Sequence, residues 1–162
     1  MIGKGVVIAL WLIVASAFDI AISRRIGILG AQPDLTLVLA VIFSTCVPFD
    51  AAALVGFFVG ILHSSAINEK RFAFVVAGIA ACMTATKICS RAVEASPMTI
   101  AAVSSICTVV SRVILLFIGL PTNPDNIFSW LLATIAAAIY NGIIAVPAFM
   151  LFRRLSHTLM RV

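Results

Sequence analysis

The sequence predicts an all-α membrane protein, a bundle of six transmembrane helices. Three observations carry this prediction. Of 162 residues, 63% are hydrophobic and 10% are charged, where soluble domains carry roughly 25% charged residues. The mean hydropathy is +1.22. Charged and helix-breaking residues divide the chain into six apolar blocks, at about 5–22, 35–47, 51–67, 72–88, 98–118 and 128–152. A spanning helix takes about 20 residues, so one integral membrane domain covering 1–162 accounts for nearly all of the chain. That leaves no room for a soluble catalytic, nucleotide-binding or nucleic-acid-binding domain. The net charge of +5 therefore reads as membrane topology.

The blocks lack strict alternation, and a helix satisfies its own backbone in lipid, so helices are expected throughout. The first block ends at Arg24-Arg25. Its Lys4, apolar run and Ala15-Ser16-Ala17 resemble a signal peptide, but the apolar run continues to Ile22, which favours a retained helix. The second block lies between Pro33-Asp34 and Pro48. Pro48 stops helix continuation, and Asp50 is placed to cap the third helix. The third ends at Asn68-Glu69-Lys70-Arg71 and the fourth near Arg91. Ser96-Pro97 is a cap-plus-first-turn signature for the fifth. Pro121 to Asp125 separates it from the sixth, which contains Pro147, a kink site, and ends at Arg153-Arg154. Six spans put both termini on one side, with Lys4, Lys87, Arg91, Arg153, Arg154 and Arg161. Arg24, Arg25, Lys70 and Arg71 fall opposite. The bias places both termini in the cytoplasm.

Ionisable groups inside a bilayer are expensive and need partners. Lys87 can snorkel from its helix end. Asp19, His63 and Arg112 all fall in the outer part of outward-running helices and form a candidate intramembrane polar cluster. An Asp19–Arg112 ion pair with His63 attached is the expected arrangement, read first as a clamp between helices and second as a ligand or ion site. Gly56, Gly60 and Ser64 recur every four residues and form a candidate helix-packing ridge. Asn141 is expected to make an interhelical hydrogen bond, and Trp130 to sit at an interface. Cys46, Cys89, Cys82 and Cys107 have no metal-ligand spacing and read as packing residues. Asp34, Asp50 and Asp125 read as helix-start residues. No nucleophile–base pair or known hydrolase, zinc or phosphate-loop motif is present. The expectation is therefore no enzyme, no catalytic residue, no cofactor and no metal.

Three stretches carry a resemblance: Gln32-Pro33-Asp34-Leu35; the 50–62 segment with Gly56, Gly60 and Leu62; and the closing Ala138-Ile139-Tyr140-Asn141 to Pro147 segment followed by Phe152-Arg153-Arg154-Leu155. In order and spacing they resemble MreD, the small six-helix membrane subunit of the bacterial rod-shape machinery. His63 stands where members often carry an acidic residue, and 68–71 replaces their Gly-rich turn. The resemblance implies a non-enzymatic inner (plasma) membrane protein of the elongasome. Its partner would be an MreC-like protein, with MreB, RodA and a class B penicillin-binding protein in the same complex, supporting lateral peptidoglycan synthesis and cell shape. Its surroundings would be membrane lipids, with no nucleic acid. The alternative is a vitamin- or metal-binding subunit of an energy-coupling-factor transporter, also a small six-helix protein of similar general build.

Overall fold

A backbone without water must close its own hydrogen bonds, and each apolar block does so as a helix. The structure is a computed structural model and describes residues 2–22, 32–67, 71–90, 96–118 and 127–159. Among these there are six α-helices and no strand: α1 (Ile2–Ile22), α2 (Leu35–Ser44), α3 (Phe49–Ile67), α4 (Arg71–Cys89), α5 (Pro97–Phe117) and α6 (Ile127–Leu159). Arg24, Arg25, Glu69, Lys70, Arg91, Glu94, Arg161 and residues 121–125 lie outside the described residues.

The helix starts follow local chemistry. Asp34 caps α2, its carboxylate accepting from the Leu37 amide at 2.8 Å. Ser96 caps α5 through the Thr99 amide at 3.1 Å, with Pro97 in the first turn. Asp50 does not cap α3. That helix begins one residue earlier, at Phe49, and Asp50 sits inside its first turn. The Pro48 carbonyl instead accepts the Ala52 amide at 3.0 Å.

Among the described residues three helices are long and apolar enough to cross a membrane: Phe72–Cys89, Pro97–Phe117 and Ile127–Arg154. The second block departs most from expectation. Its helix stops at Ser44, not 47, and ten residues make only about 15 Å at 1.5 Å per residue. That is half of a hydrocarbon core of about 30 Å, so α2 cannot cross one by itself.

Instead α2 is the axis of the bundle, in contact with all five other helices. It enters three separate clusters. Ala40 and Phe43 pack with Leu12 of α1, Val55 and Val59 of α3, and Cys82 of α4. Leu37 and Val41 pack with Ala81 and Ala85 of α4 and with Val103 and Cys107 of α5. Val38 and Ile42 pack with Ile100 of α5 and with Ala145 and Phe149 of α6. A helix that is apolar on every side is suited to such burial.

Elsewhere the interior is built from small residues, including Ala52, Ala73, Ala77, Ala81 and Ala85, with buried Ser64, Thr86, Thr108 and Thr134. Large apolar side chains point outward, among them Phe18, Leu54, Phe58, Ile139 and Ile143. Water disfavours so continuous an apolar exterior, whereas lipid suits it. Cys82 and Cys107 are buried, but Cys46 is exposed at the α2–α3 turn.

Gly56 and Gly60 of the predicted ridge pack within the chain, against α4, and Ser64 is buried. A Cβ at Gly56 would strike the backbone of Gly78 and Ile79, and one at Gly60 the backbone of Phe74 and Val75. Gly78 answers from α4, where a Cβ would strike the Gly56 carbonyl. Backbone cannot rotate aside as a side chain can. Gly56→Val is therefore expected to destabilise the fold by about 3 kcal/mol or more, at or above the usual range for overpacking. Leu54→Val on the exposed face should stay within about 0.5 kcal/mol. Denaturant unfolding in detergent micelles measures both, and equal effects would contradict this packing.

Candidate functional site

The start of a helix leaves its first amides without partners inside the helix. In α2 these amides are surrounded by other helices, so they need protein acceptors. Asp34 supplies one, to Leu37. Asp19, from α1, supplies the rest. Its Oδ1 accepts the Leu35 amide at 2.9 Å, and its Oδ2 accepts the Thr36 amide at 2.7 Å and the Thr36 hydroxyl. A carboxylate from one helix thus caps another, where the positive end of the α2 dipole favours negative charge.

Asp34 is held in turn. Its backbone amide donates to Asn141 Oδ1 at 2.9 Å, and Asn141 Nδ2 donates to Thr108 Oγ1 at 3.0 Å. Thr108 donates back to the Ser104 carbonyl of its own helix at 2.8 Å. Asn141 is thus an interhelical hydrogen-bonding residue between α6, α5 and the start of α2, as its place in the sequence suggests. On the other side, His63 Nε2 of α3 lies 3.1 Å from Asp34 Oδ1. The His63 ring faces Phe74 of α4, with centroids 6.2 Å apart.

The sequence-predicted polar residues therefore meet differently than expected. Asp19 and His63 do come to one place, but Asp34 joins them. The close acid–base contact is His63 Nε2 with Asp34 Oδ1. Among the described residues no Asp19–Arg112 pair is seen. Both Asp19 oxygens accept hydrogen bonds from α2. Asp34, read from sequence only as a helix start, is the centre of the site. Its position after Pro33 and before an all-apolar block was the available signal. Thr36 and Thr108 carried none, since isolated threonines are common in such helices.

One donor atom each from Asp19, Asp34 and His63 lies within 4.8 Å of the other two. The site lies three residues from the end of α1 and four from the end of α3. The His63 and Asp34 side chains keep 25% and 29% of their surface exposed, so the cluster is anchored inside yet reachable from that end. No family model, curated protein or solved structure matches the chain.

The geometry separates two pairings by a double-mutant cycle. Asp19→Ala is expected to destabilise by about 3 kcal/mol, because it orphans two part-buried amides. Combined with Thr36→Val it should be non-additive by about 1 kcal/mol, since the two groups bond directly. Combined with Arg112→Ala it should add within about 0.5 kcal/mol. Strong coupling to Arg112 and none to Thr36 would contradict the arrangement described.

Proposed function

We propose that this chain is a non-enzymatic, multi-pass subunit of a bacterial inner-membrane complex, of the MreD kind, packing against an MreC-like partner to support lateral wall synthesis and rod shape. One observation supports it most. The three stretches that carry the resemblance lie far apart in sequence yet converge. The Asp34 amide of the first is bound by Asn141 of the third, and the second leads through Gly56 and Gly60 into His63 beside Asp34. The motif order then has a physical meaning as the set of groups that holds the short α2 in place.

A scaffold role also suits the distribution of chemistry. Much of the buried polar chemistry described serves helix-to-helix bonding: Thr86 to the Ser44 carbonyl at 2.7 Å, Ser105 to the Ala138 carbonyl at 2.8 Å, and Cys107 to the Ala81 carbonyl at 3.2 Å. In this reading α2 completes its crossing through the 45–48 turn, six segments enter the membrane, and both termini are cytoplasmic. Arg153 and Arg154 then close the last apolar stretch at the inner leaflet, as the positive-inside rule asks. The long outward apolar faces of α1 and α6 are available to lipid and to a partner's membrane helix.

Affinity purification of the tagged chain from its native membrane in mild detergent, with mass spectrometry of co-purifying proteins, tests the proposal. MreC-, RodA- or transpeptidase-like proteins are expected. Recovery of a transmembrane coupling subunit with ATPases would overturn it in favour of the transporter-subunit alternative.

A further inference from the structure

We infer that Asp19, Asp34 and His63 form a binding site for a divalent first-row transition-metal ion. Three helical elements contribute one donor each: α1, the cap of α2, and α3. Their donor atoms all lie within 4.8 Å of one another. Ligands at about 2.0–2.2 Å from a zinc ion lie roughly 3–4.4 Å apart, close to the spacing of this set. One imidazole and two carboxylates suit zinc, manganese, iron(II) or cobalt. Imidazole argues against magnesium and calcium, which take oxygen.

The outer shell is already built. Ligating carboxylates are typically fixed by further hydrogen bonds. Here the Leu35 and Thr36 amides and the Thr36 hydroxyl orient Asp19, while Asn141, itself held by Thr108, fixes the Asp34 backbone. These supports come from the bundle, and since α2 bonds both Asp19 oxygens, a metal would share that carboxylate with the helix start. Ligand capacity also remains. Asp34 Oδ2 and His63 Nδ1 make no hydrogen bond among the described residues, and both side chains are about a quarter exposed.

The test uses the full chain in detergent micelles, carrying a histidine-free tag and stripped of metal. Zinc chloride is titrated by calorimetry and cobalt(II) by visible absorption. One ion per chain is expected, with a dissociation constant of about 10 μM or tighter. His63→Ala and Asp34→Asn should each weaken binding at least tenfold. Asn141→Ala, a supporting residue, should weaken it about tenfold while leaving stoichiometry at one. The cobalt spectrum of the unaltered chain decides even if the variants fail to fold. Ligand-field bands without thiolate charge transfer support the site. Thiolate bands, or no binding up to about 1 mM (−4.1 kcal/mol), overturn it. So does binding that survives His63→Ala but is lost with Cys46→Ser.

Discussion

The first turn of α2 is the constraint on which the other contacts depend. The helix lies among five others, and a buried donor left unmet costs about 1–3 kcal/mol. An isolated ten-residue helix is marginal even in water. α2 is therefore held by what surrounds it. Asp19 neutralises the start of its dipole and occupies the Leu35 and Thr36 amides, and its apolar side chains fill three clusters. Removing the cap removes the reason for the helix to begin where it does. A shift of one residue would rotate each α2 side chain about 100°, out of its cluster.

Small residues make that arrangement possible. A short central helix can touch all its neighbours only if they come close, and they do so over alanine, glycine and serine. The α3–α4 contact goes furthest, with Gly56, Gly60 and Gly78 bringing backbone against backbone. At the end of that contact Ser64 is buried, and His63, one position earlier, turns toward Asp34. The glycine ridge thus does more than bind two helices. It sets the depth and rotation of α3, and so the distance of the imidazole from the α2 cap.

Much of this was legible in the sequence. The helical class, the Asp34 and Ser96 caps, the packing ridge and the bridging role of Asn141 follow from residue type and spacing. The placement of Asp19 and His63 at one level follows from counting residues from helix ends. The role of α2 does not. In a chain of this hydropathy a segment such as Leu35–Ser44 looks the same whether it faces lipid or protein, because the apolar pattern that separates inside from outside in water loses its contrast. The Asp19 partner was misread for a related reason. Charge complementarity points to Arg112, but a helix N-terminus is also a positive centre and leaves no mark in the composition. Gly78 was missed because a single glycine in an apolar helix shows no period.

The same bonds that hold α2 also set the donor geometry of the Asp19, Asp34 and His63 cluster, and this ties the site to the bundle. Asp19 bonds α2 with both oxygens. Asp34 caps it with one oxygen and leaves the other open. His63 reaches the shared carboxylate from the ridge helix. An ion bound at this cluster would tie α1 and α3 to the cap, so occupancy would stabilise the native arrangement. Because α2 touches every other helix, that added stability would not stay local. It would reach the outward faces of α1 and α6 through the packed clusters that begin one turn below the cap, at Leu37 and Val38. In a protein whose proposed work is to present helix faces to partners, a polar cluster at one end of the axis is where such control has the most mechanical effect.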